Sequence, residues 1–223
     1  MMKYKKAMEN LSFSILGDSY STYKGWIPEE YECWYSDEGN DKFNNVSSVE
    51  DTWWSLLAKE SKMTLLINNS YSGSTICNTG YLGVDYTDRS FITRMKKDFG
   101  DNKTCSTQSD IIFIFGGTND SWADAPIGTL KYSNWLEKDF KEVLPSFCYM
   151  VNYLKINNPN ARVINIVNTD LKDEITKGME SASKYYSIEN LVLSDVDKEN
   201  GHPNKNGMIQ IKDQVLKRLI LSQ

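Results

Sequence analysis

Histidine is nearly missing from this chain: His202 is the only one in 223 residues. A metal site built from clustered imidazoles is therefore excluded, and any chemistry that needs an imidazole must use this one. Cysteine is sparse too. Cys33, Cys77, Cys105 and Cys148 stand far apart and form no C-x-x-C pair. That pattern argues against a zinc ribbon, a thioredoxin-type site or a small disulfide scaffold, and leaves free, mostly buried thiols as the expectation. Positive charge is in deficit, with 25 Lys and Arg against 30 Asp and Glu, a net −5. Nucleic acid and anionic membranes both select a basic face, so neither is an expected partner. Long apolar runs are absent. The basic start is followed by Ala7-Met8-Glu9-Asn10, and the next apolar stretch, Leu11 to Leu16, is interrupted by Ser12 and Ser14. No signal peptide and no membrane span is read there. As written the sequence points to the cytoplasm, or to the periplasm or exterior if a leader has been trimmed. There is no G-x-G-x-x-G and no G-x-x-x-x-G-K-[ST], which disfavours a nucleotide site.

What is present is an alternation of short apolar runs and helix-like stretches. The length suits one α/β domain with a full core. Leu11–Leu16, Thr64–Ile67, Ile111–Phe115, Val163–Val167 and Leu191–Leu193 read as strands. The run IIFIF is the clearest, continuous and β-branched or aromatic throughout, as a strand buried on both faces would be. Between them, Ser47 to Asp51 offers a capping-box start for Trp53 to Lys59. Asp88 can cap a helix through Lys97 that Gly100 ends. Pro145 suits the first turn of a helix to about Ile156, closed by Asn157-Asn158-Pro159. Leu171 to Tyr185 is a weaker helix, and Asn204 to Leu221 carries the apolar stripe Met208, Ile211, Val215, Leu219. Such alternation predicts one parallel sheet with helices on both faces, in a single domain spanning residues 1–223. The stretch 20–48 is long, aromatic and rich in turn residues, and reads as an insertion over one edge.

In an open parallel sheet ligands bind beyond the carboxyl ends of the strands. Gly17-Asp18-Ser19-Tyr20-Ser21 follows the first strand. Asn68 to Ser74 follows the second, and Gly116-Gly117-Thr118-Asn119-Asp120 the third. Glu199-Asn200-Gly201-His202-Pro203-Asn204 precedes the last helix. These blocks resemble those of SGNH hydrolases of the GDSL esterase/lipase superfamily, with a likeness to bacterial acetylesterases. GDS at 17–19, Gly73, GGTND at 116–120 and His202-Pro203 match the family's four blocks in order, across nearly the whole chain. The resemblance implies a three-layer α/β/α, flavodoxin-like fold with strand order 2-1-3-4-5. It also implies ester hydrolysis through an acyl-enzyme, needing no metal and no cofactor.

On that resemblance Ser19 is the expected nucleophile, since a serine hydroxyl needs an adjacent base to attack at neutral pH. His202 is the expected general base, and activity should fall as pH drops through its titration. The third member departs from the family, whose Asp lies three residues before the His: here that position is Glu199. Asp197 competes for the role, and a Ser19–His202 dyad helped by a backbone carbonyl is the remaining alternative. The N–H groups of Ser19 and Gly73 and the Asn119 side-chain amide are the expected oxyanion donors. Asp18 and Asp120 read as structural. Tyr20, Tyr23, Trp26, Tyr31, Trp34, Tyr35 and Trp122 cluster near the expected rim, with Tyr20 and Trp122 the candidate substrate contacts. They can stack on sugar rings, or simply pack the insertion onto the domain. The leading expectation is an esterase of small acyl groups on a carbohydrate or similar small-molecule ester. The alternatives are a lysophospholipase or thioesterase of the same fold, or a degenerate domain that binds glycans without turnover.

Overall fold

A computed structural model of the chain describes residues 8–37, 44–100 and 108–221. The basic start (1–7), part of the insertion (38–43) and Cys105 lie outside the described residues.

Five strands form one parallel sheet: β1 (Ser12–Gly17), β2 (Thr64–Ser70), β3 (Ile111–Gly116), β4 (Arg162–Val167) and β5 (Glu189–Val192). Their spatial order is β2-β1-β3-β4-β5. Register runs evenly from Phe13 opposite Ile111 to Gly17 opposite Phe115, so β1 and β3 end level with each other. The period of two along each strand sorts side chains to opposite faces. Ile111, Phe113 and Phe115 pack with Phe13, Ile15, Trp53, Leu57, Met208 and Ile211 on one face. Ile112 and Ile114 pack with Phe91, Met95, Phe147, Val151 and Ile175 on the other. Helices α1 (Trp53–Ser61) and α6 (Lys205–Leu221) cover the first face. Helices α2 (Phe91–Phe99), α4 (Val143–Asn157) and α5 (Asp173–Tyr186) cover the second, and a short α3 (Thr118–Trp122) stands on the end of β3. This is the three-layer α/β/α arrangement. Because α1 and α2 lie on opposite faces, the chain reverses direction across the sheet at β1, and a crevice opens above its carboxyl end.

Helix starts differ in detail from expectation. Ser48 caps a single 3-10 turn (Val49–Asp51) with Asp51 closing the capping box, and Thr52 then caps α1. Ser90, not Asp88, precedes α2. Pro145 sits within the first turn of α4, which begins at Val143. Of the described thiols, Cys77 and Cys148 are buried and free while Cys33 is exposed. Among the described residues no helix is long and apolar enough to cross a membrane.

Candidate active site

β1 ends at Gly17, pressed between β2 and β3. A Cβ there would sit 2.5 Å from Ser70 Oγ, so only glycine lets the strand end this close to its neighbour. The next residue, Asp18, turns the chain. Its N–H donates to Phe115 O (3.2 Å), and its Oδ1 accepts from Tyr20 N–H (3.0 Å), capping the 3-10 turn Ser19–Ser21. Ser19 thus stands just beyond the carboxyl end of β1, 2% exposed.

His202 arrives from the far end of the chain. Lys198–Glu199 and His202–Pro203 form a two-residue antiparallel ribbon (β6 and β7). Asn200 and Gly201 make its turn, both at positive φ (50° and 77°), as an Asn-Gly hairpin favours. The ribbon is pinned by hydrogen bonds to its carbonyls. Tyr20 OH donates to Gly201 O (2.6 Å), Tyr35 OH to Pro203 O (2.8 Å), and Asn44 Nδ2 to His202 O and Pro203 O (3.2 and 3.0 Å). His202 Nε2 then lies 3.0 Å from Ser19 Oγ. Nδ1 lies 3.1 Å from Asn200 O. A carbonyl only accepts, so Nδ1 carries the proton and the Nε2 lone pair faces the serine hydroxyl, the tautomer a general base needs. Burial pushes the imidazole down to about 4; the Asn200 carbonyl opposes that shift and the Lys198 charge adds to it. The titration expected near neutrality is therefore displaced well into acid.

The expected acids are not brought to this ring. Glu199 is opposite His202 in the ribbon, but its side chain is exposed and makes no hydrogen bond among the described residues. The tight hairpin leaves the turn's own carbonyl at Nδ1, where a carboxylate would have to bind. Asp197 is exposed and committed elsewhere: its carboxylate accepts from Asn206 Nδ2, its N–H donates to Gln210 Oε1 (2.7 Å), and its carbonyl accepts from Asn204 N–H (3.1 Å).

The three expected oxyanion donors lie on the loops above β1, β2 and β3. Neither Ser19 N–H nor Gly73 N–H has an acceptor among the described residues. Gly73 takes φ +79° with open space where a Cβ would be, a conformation glycine adopts at no steric cost. Asn119, in α3, donates from Nδ2 to Ser74 O (3.0 Å) and accepts at Oδ1 from Tyr81 OH (2.8 Å), which leaves one amide hydrogen for a ligand. Tyr81 was not expected from the sequence. It reaches Asn119 from a turn at Tyr81–Gly83 whose residues match no motif block.

Two buried carboxylates and one buried guanidinium hold these loops. Asp120 accepts from Ile76 N–H (2.9 Å) and Cys77 N–H (3.3 Å), tying α3 to the loop after β2; burial pushes it up to about 6. Burial pushes Asp18 up to about 7, against the pull of the Tyr20 N–H, and the charge of Asp120 raises it further. Arg94, also missed, donates from one nitrogen to Gly17 O and Ser74 Oγ (both 3.0 Å) and from another to Asn69 O (2.7 Å). It joins the residues flanking both backbone donors.

Of the candidate substrate contacts, Tyr20 is corrected: it is wholly buried, edge-on to Phe115, with its hydroxyl taken by Gly201 O. Its ring offers no face to a ligand. Trp122 is 45% exposed beside His202. Most of the aromatic segment packs inward, with Tyr23 and Tyr35 buried in the core and Trp26 half exposed. Two grooves of about 590 and 400 Å³ run along this segment, and neither is lined by Ser19 or His202. Among the described residues no group of three or more His, Cys, Asp or Glu could hold a metal ion.

Residues 11–219 match the family described as GDSL-like Lipase/Acylhydrolase. A structure described as a GDSL-like lipase from Bacteroides uniformis is 47% identical, covering 94% of this chain and 95% of its own, with a TM-score of 0.87. A second, from Bacteroides ovatus, is 41% identical over 96% of this chain and 100% of its own, with a TM-score of 0.88. The acetyl xylan esterase Est2A of Butyrivibrio proteoclasticus shares the fold at 15% identity, covering 96% of this chain and 64% of its own, with a TM-score of 0.63. A search of curated proteins gives no match. The family match takes in the whole sheet and every loop above it: the chain belongs to the GDSL-like lipase/acylhydrolase family and is an ester hydrolase of the SGNH type.

Proposed function

We propose that this ester hydrolase works through a Ser19–His202 dyad, with an acyl-enzyme on Ser19, and that it removes small acyl groups from carbohydrate or similar esters. One observation carries the mechanism: Nε2 is 3.0 Å from Ser19 Oγ while Nδ1 is held by Asn200 O. As Oγ attacks the ester carbonyl, its proton passes to Nε2 and the Oγ–C bond forms. The carbonyl oxygen, now negative, meets the N–H groups of Ser19, Gly73 and Asn119. Collapse breaks the bond to the alcohol, which leaves with the proton from Nε2. Water then attacks the acyl-serine, giving its proton to the same nitrogen, and the acid departs as Oγ regains its hydrogen.

A small acyl group is favoured by the close aromatic surround of the imidazole, with rings of Tyr20, Trp34 and Trp122 centred within 5.7 Å of it. A sugar alcohol is favoured by Trp122, an exposed flat face at the rim. Carbohydrate esterases, among them an acetyl xylan esterase, also share the fold.

The test is hydrolysis of p-nitrophenyl acetate by the wild type and Ser19→Ala, with a fluorophosphonate label mapped by mass spectrometry. The variant is expected to lose about 10⁴-fold or more in kcat and to escape labelling. Activity that survives, or a label elsewhere, would remove Ser19 from the scheme. Acetate release from acetylated oligosaccharides, compared with fatty-acid release from lysophospholipid, separates the substrate classes.

A further inference from the structure

Trp34 belongs to none of the motif blocks, yet it lies flat on the imidazole. The two ring centroids are 3.6 Å apart and their planes differ by 8°. The segment that brings it is fastened on both sides. Trp34 N–H donates to Thr22 Oγ1 (3.0 Å), just after the nucleophile turn. Tyr35 O accepts from Lys24 N–H (2.9 Å), and Glu32 O accepts from Ser72 N–H (2.8 Å), beside Gly73. The indole is thus fixed to the loops that carry Ser19 and Gly73, and through Tyr35 OH to Pro203.

A general-base imidazole needs a defined tautomer, a defined ring plane and something that favours its protonated form as the proton arrives. A triad carboxylate supplies all three. Here the Asn200 carbonyl sets the tautomer. It does not set the plane, because torsion about the Cβ–ring bond of histidine is soft. A parallel ring at van der Waals distance does set it, since any rotation of the imidazole drives an edge into the indole.

We propose that Trp34 is a positioning residue that takes over one task of the missing triad carboxylate: its stacked indole holds the His202 ring in the plane that aims Nε2 at Ser19 Oγ. The inference rests on the dyad reading above. Other groups around the ring do not perform this task. Tyr20 and Tyr35 meet it at a tilt or edge-on, at 5.4 and 6.5 Å, with both hydroxyls donated to backbone carbonyls. Trp122 is edge-on at 5.7 Å. Lys198, paired with Asp170 at 3.0 Å, opposes the cation, and Glu199 across the ribbon is exposed.

The experiment compares wild type, Trp34→Leu, Trp34→Phe and Ser19→Ala on p-nitrophenyl acetate from pH 4 to 8. Because His202 is the only histidine, its titration is also followed directly by NMR. In the wild type the acid limb of kcat/KM is expected near pH 4, with a flat profile at pH 5. Trp34→Leu should lower kcat about tenfold with KM changed less than about twofold. It should also let water onto the ring and move both the limb and the NMR titration up toward the ordinary 6.5. Trp34→Phe, which keeps a flat face, should recover most of kcat and most of the displaced titration. Unchanged kcat and titration in a folded Trp34→Leu would overturn the proposal. So would a kcat loss with an unmoved titration and no recovery in Trp34→Phe, the mark of a merely structural residue. If Trp34→Leu does not fold, the NMR titration of Trp34→Phe decides: one displaced part of the way toward 6.5 supports the stack, and one identical to wild type overturns it. Activity retained by Ser19→Ala would instead bring down the dyad reading, a separate and recognisable failure.

Discussion

Glu199 carries the sharpest test of how the imidazole is oriented. When the carboxylate of a Ser–His–Asp triad becomes an amide, kcat falls about 10⁴-fold because the wrong tautomer is held. A carboxylate in solvent can have no such effect. Since Asn200 O occupies the position at Nδ1 and the Glu199 side chain is exposed, Glu199→Gln is expected to keep kcat within about threefold on p-nitrophenyl acetate. A loss beyond about a hundredfold would show that the carboxylate swings onto the ring when substrate binds. The proposed site residues Ser19, Gly73, Asn119 and His202 were legible as candidates in the sequence because each lies in a block that follows a strand or precedes the last helix, with residue types that suit the proposed task. Trp34 and Tyr81 were not. Their contacts to His202 and Asn119 link distant positions through loops with no periodicity, so nothing local in the sequence announces them. The Asn200-Gly201 dipeptide was the one unread local signal: it marks a hairpin turn, and a hairpin puts a carbonyl rather than a side chain beside Nδ1.

Among the secondary elements, those with a continuous apolar run were read most faithfully. Ile111–Phe115 differs from β3 by a single residue. β2 was read short, as Thr64–Ile67, because Asn68-Asn69-Ser70 has the composition of a turn. In the fold those polar residues continue the strand, each satisfied from another element or from its neighbour: Asn68 Nδ2 donates to Ser21 O (2.9 Å), Arg94 binds Asn69 O, and Ser70 Oγ donates to Asn68 Oδ1 (2.6 Å). α2 likewise hides a task. An amphipathic pattern over Phe91–Phe99 reads as core packing, but Arg94 points inward from it, 2% exposed, onto the loops above β1 and β2. Methionine at that position would fill similar space, take the guanidinium from Ser74 Oγ and Asn69 O, and leave Gly17 O with the Tyr71 N–H alone. Two or more lost charge-assisted bonds put the destabilisation at about 3 kcal/mol. For a chain of this size that corresponds to a fall in Tm of roughly 6–12 °C. Arg94→Met is therefore expected to melt lower by that amount and to lose esterase activity as well, because the backbone beside the proposed oxyanion donors loosens. A calorimetric scan that finds Tm unchanged would mean the guanidinium only fills space.

For the molecule as a whole, the buried titratable groups above the sheet pull stability in opposite directions. His202 has its folded-state value lowered to about 4 from 6.5, so the unfolded chain binds more protons between those limits and stability falls as pH falls through that window. Asp18 and Asp120 have theirs raised from 3.8 to about 7 and about 6. For them the folded chain binds more protons, and stability falls as pH rises through the window above 3.8. Between pH 4 and 6.5 the two effects oppose each other. Above 6.5 the histidine no longer contributes and Asp18 completes its ionisation alone, with one carboxylate oxygen, Oδ2, buried and without a hydrogen-bond partner among the described residues. Asparagine at position 18 keeps the oxygen that caps the Ser19 turn and removes the titration. It also relieves Asp120 of a neighbouring charge. The difference in Tm between Asp18→Asn and the wild type is therefore expected to grow in the variant's favour by several degrees, rising steadily from pH 4 to about pH 7 and levelling off above it. Thermal melts of the two proteins across that range measure it directly. A difference that stays constant, or that shrinks as pH rises, would mean that Asp18 is ionised across this range in the folded protein and that the loop bearing Ser19 is built around a stable buried charge.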